Sequence, residues 1–208
     1  NSTMKTFLTF LLLLFLPTLL FSQKKKNIVN DITSNVEARV LVMKALGNNF
    51  LAKDFEPFYG FGFSGQLMTP LHFGLGLEYN ILFSDLKYGH EHIYNNLGAQ
   101  NLRNFSVNLI HQDELSEEFF LEETVGFAIN RLNSTRLSTQ EKFSEGNGGA
   151  NLGVALVYIL DRNGKQNFVF GSKATSYFSK LSNENEEMRK YYARSFFIGL
   201  YFGYRYRF

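Results

Sequence analysis

The sequence predicts an all-β protein, an eight-stranded antiparallel up-and-down transmembrane β-barrel that follows a cleaved N-terminal signal peptide. Long segments alternate between apolar residues and polar or small ones. These segments run longer than the strands of most soluble sheets, and the connections between them are short and long in turn. Side chains on a strand point to opposite faces, so a barrel wall in lipid reads apolar outside and polar or small inside.

The N-terminus decides how the rest is read. Met4 is the expected start, with residues 1–3 an upstream extension of the reading frame. Lys5 supplies a positive n-region, and residues 7–21 form an apolar run broken only by Thr9, Pro17 and Thr18. That run is shorter than the roughly 20 residues a helix needs to cross about 30 Å of hydrocarbon. Ser22 and Gln23 follow, then Lys24, Lys25 and Lys26. Residues 1–22 therefore read as a signal peptide cut after Ser22, against the alternative of an N-terminal anchor. Residues 23–35 become a periplasmic N-terminal segment and 36–208 the barrel. The absence of Cys excludes a lipidated N-terminus, disulfides and thiolate metal sites. A net charge of +2 gives no reason to expect nucleic acid as a partner.

Composition narrows the class. With 23 Phe, 11 Tyr and 17 Gly, and no second run of about 18 apolar residues, an exported chain is either a soluble β-protein or a membrane barrel. The clearest strand is 71–83. Leu71, Phe73, Leu75, Leu77, Tyr79, Ile81 and Phe83 share one face, and His72, Gly74, Gly76, Glu78 and Asn80 the other. Before it, 55–68 places Phe55, Tyr59, Phe61, Phe63 and Leu67 outward and Glu56, Phe58, Gly60, Gly62, Ser64 and Gln66 inward, with Thr69-Pro70 as the turn between. Strand 119–131 sends Leu121, Val125, Phe127 and Ile129 out against Glu122, Thr124, Gly126, Ala128 and Asn130. The next sends Leu152, Val154, Leu156 and Tyr158 out against Asn151, Gly153 and Ala155. Strand 192–208 sends Phe196, Ile198, Leu200, Phe202, Tyr204, Tyr206 and Phe208 out against Ser195, Gly199, Gly203, Arg205 and Arg207. Weaker strands at 36–45, 103–112 and 167–178 complete eight.

Strand length separates this from a soluble sandwich or a lipocalin-like barrel. Soluble strands have a mode near 5–6 residues, whereas crossing a membrane at a tilt takes about 9–11. Small inward residues suit a narrow eight-stranded lumen that side chains can fill. Short turns are expected at Thr69-Pro70, 113–117 and 161–165, and longer loops at 46–54, 84–102, 132–149 and 179–190, the asymmetry of outer-membrane barrels. Two features fit less well. Glu123 faces lipid in this register unless a bulge rotates it inward, and Ser172, Ala174 and Ser176 make a weak outer face.

The final stretch, from Gly199 through Phe202, Tyr204 and Tyr206 to Phe208, resembles the C-terminal β-signal of outer-membrane barrels. The resemblance implies recognition of this strand by a Bam-type assembly machinery. The chain from 36 on resembles the small barrels of the OmpX and OmpA-barrel type. Its Phe-rich, Trp-free composition and Gln23 after the expected cleavage site resemble Bacteroidetes versions, including the PorT-like outer-membrane family. What that implies is a monomer in the cell outer membrane of a Gram-negative bacterium, in contact with lipid and lipopolysaccharide.

Chemistry is sparse. His90-Glu91-His92 reads either as a metal-binding pair or as part of a solvated loop, and without a third ligand the loop is expected. The His-x-Ser arrangement of outer-membrane lipid-modifying hydrolases is missing, since His72 precedes Phe73-Gly74 and His111 precedes Gln112-Asp113. No enzyme, cofactor or metal is expected. The inward charges Glu56, His72, Glu78, Glu122, Lys173, Arg205 and Arg207, with Glu37 and Arg39 as further candidates, are expected to form a polar network that plugs the lumen, because buried charges need partners. The expected function is structural or interactive, with long outer loops meeting partners such as a secretion complex. The alternative is a small pore or an apolar-solute transport barrel.

Overall fold

The structure, a computed structural model, describes residues 32–89, 100–135, 140, 142–178 and 194–208. The expected signal peptide, His90, His92 and most of 23–35 lie outside the described residues. The described chain forms a closed barrel in sequence order with every neighbouring pair antiparallel. The strands are β1 Thr33–Leu46, β2 Phe58–Met68, β3 Phe73–Ser84, β4 Gln100–Glu114, β5 Phe119–Thr135, β6 Lys142–Ile159, β7 Gln166–Phe178 and β8 Arg194–Arg207. One short helix, α1, spans Phe50–Asp54. No described helix is long and apolar enough to cross a membrane.

Register fixes the shape. Paired residues followed once round the wall from Asn35 run through Gln66, Gly76, Asn108, Gly126, Asn151, Thr175 and Phe197. The path returns to β1 at Ala45, ten residues above its start. Such a stagger tilts the strands by roughly 35–45° and leaves a lumen that side chains can fill. Strands of 11 to 18 residues therefore reach or exceed the about 9–11 that a tilted crossing requires.

The two faces separate as the alternation predicts. Val40, Phe63, Leu77, Phe127, Phe170 and Leu200 project outward and are exposed, whereas Glu37, Asn80, Asn104, Glu122, Asn151 and Arg205 point inward and are buried. Ser172, Ala174 and Ser176 do face outward, half-covered. Their cross-strand neighbours Val154, Leu152, Leu200, Ile198 and Phe196 supply the bulk they lack. Glu123 also stays outward, because the ladder between β4 and β5 runs without a bulge and sets it opposite His111.

Several expectations are corrected. β1 opens at Thr33, earlier than residue 36, with Asn35 already buried in the lumen. β2 starts only after Pro57, so Phe55 and Glu56 lose the strand's parity. Phe55 is buried under the barrel mouth and Glu56 is exposed. β3 starts at Phe73, leaving His72 half-buried in the preceding turn with a left-handed φ of 65°, its amide donating to the Thr69 carbonyl at 3.0 Å. The expected loop 132–149 is mostly wall, since β5 runs to Thr135 and β6 opens at Lys142. Glycines hid this extension from the alternation, although Gly149 sits where a Cβ would meet the Ser176 carbonyl.

Candidate functional site

The lumen is the one place where the fold gathers charged side chains away from solvent among the described residues, and it is layered along the axis. At the end bearing the short hairpins, Arg205 of β8 bridges two carboxylates. Its Nη1 and Nη2 donate to Glu122 Oε2 and Oε1 at 2.6 and 2.9 Å, and its Nη2 and Nε donate to Glu37 Oε2 at 2.8 and 3.0 Å. Glu122 accepts two further bonds, from Gln66 Nε2 at 3.0 Å and Gln112 Nε2 at 2.7 Å. Four donors on one carboxylate suit its ionised form, which only accepts.

The next layer continues the chain. Arg39 Nε lies 2.8 Å from Glu37 Oε1, an ion contact whose angle does not make a hydrogen bond. Arg39 Nη2 donates to Ser64 Oγ at 2.7 Å, Nη1 lies 3.4 Å from Glu78 Oε2, and the guanidinium stacks 4.6 Å above the Tyr201 ring. Lys173 Nζ reaches Glu78 Oε1 at 2.7 Å from the opposite wall. Asn80 Nδ2 donates to the same oxygen at 2.6 Å and to Asn104 Oδ1 at 3.1 Å, and Asn104 passes the network to Tyr177 Oη. Glu122, Arg205, Glu37, Arg39, Glu78 and Lys173 thus alternate in sign and sum to no net charge.

Above the charges the long-loop end is closed by apolar side chains. Phe58, Leu82, Leu102 and Phe197 are buried to 1% exposure or less. The rings of Phe58 and Phe197 meet edge-on at 5.8 Å, as do those of Tyr177 and Phe197 at 5.6 Å. α1 adds Phe50 and Leu51 to this seal, and Phe55 stacks on Phe58 at 6.1 Å. The helix is held in place by Asn49, whose side chain caps it by accepting from Ala52 N at 3.0 Å. The void left among Arg39, Ser64, Gln66, Glu78 and Tyr201 is of single-water size. Glycines make this filling possible, since a Cβ on Gly171 would strike the Tyr201 ring and one on Gly203 would strike Glu37.

Glu78, Glu122, Lys173 and Arg205 come together as the alternation predicts, joined by Glu37 and Arg39. Glu56 is exposed and His72 sits in the turn before β3, both outside the strands that carry the network. Arg207 is half-buried at the hairpin-end mouth, its Nε without a partner among the described residues. Sequence reasoning missed the aromatic seal and α1, although Asn49 before an apolar stretch is a helix-start signal. The outward residues Phe202, Tyr204 and Tyr206 lie on the outer face of β8, which closes the barrel against β1, and Phe208 follows just beyond its end. Phe202 packs against Phe168 at 5.4 Å and Tyr206 against Phe208 at 5.3 Å.

No protein-family model and no curated protein matches the chain in sequence. Solved structures match its fold. Neisserial surface protein A is 9% identical with a TM-score of 0.60, covering 85% of this chain and 97% of its own. A major outer membrane protein from Thermus thermophilus is 16% identical with a TM-score of 0.60, covering 86% and 100%. Ail, the attachment invasion locus protein of Yersinia pestis, in complex with the heparin analogue sucrose octasulfate, is 11% identical with a TM-score of 0.56, covering 86% and 99%. The chain has the fold of these small barrels.

Proposed function

We propose that this chain is an integral barrel of a bacterial outer membrane whose lumen is closed, acting through its architecture and its long-loop end rather than through transport or catalysis. The observation that carries this reading is the outer surface. Large apolar side chains project from all eight strands, among them Val42, Leu67, Leu75, Val107, Val125, Leu156, Phe168 and Ile198. A soluble monomer rarely exposes a contiguous apolar patch beyond a few hundred Å², so a belt encircling a closed barrel calls for lipid. The described lumen supports the absence of a pore, because its charges are paired and its mouth is packed with aromatic rings.

In this reading the hairpin end faces the periplasm and the long connections face outward, touching lipid and lipopolysaccharide. Phe202, Tyr204, Tyr206 and Phe208 are the strand a Bam-type machinery takes up, and the barrel is a monomer without cofactor. The finer assignment proposed is the PorT-like family of the Bacteroidetes, with an envelope complex such as a secretion system as partner. That Ail, a barrel of similar fold, is an attachment protein seen with a sulfated sugar analogue supports an interaction role for the long-loop end. A small pore or an apolar-solute channel is the second reading, and the ion-paired lumen weighs against it.

The test is folding into lipid. Residues 23–208 refolded into vesicles are expected to run faster on gels unboiled than boiled. Leu77→Arg, in the middle of the belt, is expected to lower folded stability by about 2–4 kcal/mol. A chain that folds without detergent or lipid, indifferent to Leu77→Arg, would mean that the belt faces water.

A further inference from the structure

We propose that His111, Asp113 and Glu123 form a divalent-cation site of the zinc type on the outer wall of the barrel, near its hairpin end. The ladder places them. His111 and Glu123 are direct partners across β4 and β5, and Asp113 lies two residues along β4 on the same face. His111 Nδ1 is 3.2 Å from Glu123 Oε2, and Nε2 is 3.8 Å from Asp113 Oδ1. One ligand atom from each residue falls within 4.8 Å of the other two. Neighbouring ligands of tetrahedral zinc lie roughly 3.4 Å apart, so binding it requires the three side chains to draw together.

Two further observations point to a cation. Asp113 Oδ2 is out of solvent and has no hydrogen-bond partner among the described residues, so one carboxylate oxygen of the cluster is left without a donor. The surroundings also leave the negative charge uncompensated. Two carboxylates face one imidazole on a wall that is otherwise apolar here, with Phe73, Leu75, Leu109 and Val125 exposed around them. A charge turned toward an apolar medium is costly unless neutralised, and a bound dication neutralises both carboxylates. The imidazole is already held, because the Phe73 ring packs against it at 4.6 Å.

The donor set selects the ion. An imidazole with two carboxylates suits zinc and similar transition cations, whereas magnesium and calcium take oxygen ligands throughout. Three protein ligands leave a fourth position for water.

The test uses the refolded chain in chelator-free detergent, with His90→Ala and His92→Ala as background so that the histidine pair of the sequence adds nothing. Titration with Zn²⁺ alone, followed by calorimetry, is expected to give one ion per chain. His111→Ala and Glu123→Gln are each expected to weaken it by at least about tenfold, since even an outer-shell partner's loss does so. Glu123→Gln keeps the size of the side chain, and the unboiled gel shift reports whether each variant is folded. Folded protein that binds no Zn²⁺, that binds it equally without His111, or that binds Mg²⁺ as tightly would overturn the proposal.

Discussion

Arg205 is the residue on which the lumen depends, since it is fully enclosed and makes ion pairs to both Glu37 and Glu122. Removing one member of a buried pair leaves the other charge without compensation, which costs about 3–5 kcal/mol. Arg205→Met is therefore expected to lower the unfolding free energy of the refolded barrel, read from its urea transition, by that order. Replacing Glu122 and Arg205 together with apolar residues of similar volume is expected to recover most of the loss, because their desolvation is then avoided and Glu37, Arg39, Glu78 and Lys173 stay balanced in charge. A single variant as stable as the parent would mean that the pairs contribute nothing. Glu78, Glu122 and Arg205 were legible in the sequence because each sits inside a segment of clear period two, and Lys173 because Phe168 and Phe170 fix the parity of its weaker strand. Glu56 and His72 were misread because parity holds only within a ladder. Pro57 and Pro70 mark where it stops, since proline supplies no ladder donor.

At the scale of elements, β8 has two faces of different character. Inward it contributes Arg205 and Tyr201 to the charge layer, and outward it presents Phe202, Tyr204, Tyr206 and Phe208. The outward set adds little to the lumen, so its loss separates assembly from stability. Tyr206→Ser with Phe208→Ser is expected to reduce the heat-modifiable form in cells, while the same variant still refolds in vesicles. Normal assembly in cells would remove the recognition role. The eight strands were legible because bulky and small residues alternate along them. The outer part of β6 was not, because Gly146, Gly148 and Gly149 give no face to read, and that of β5 was not, because Asn133, Ser134 and Thr135 are polar on both faces. α1 escaped for another reason. Five residues are too few to show a helical period, and burial under the mouth is a tertiary fact that local pattern does not carry.

The whole molecule combines an apolar exterior, a neutral chain of buried charges and an aromatic seal. Among the described residues, these three features are what the proposed closed membrane barrel rests on, as against a soluble barrel or a pore. An open channel would need the alternating chain from Glu122 to Lys173 to part and the ring cluster of Phe58, Phe197 and Tyr177 to move aside, exposing charges now paired at hydrogen-bond distance. The measurement that tests this most directly is conductance across planar bilayers, recorded on refolded protein whose insertion is verified by gel mobility on the same preparation. Insertion without steady conductance is the predicted result. Discrete, reproducible current steps from the inserted protein would contradict a closed lumen.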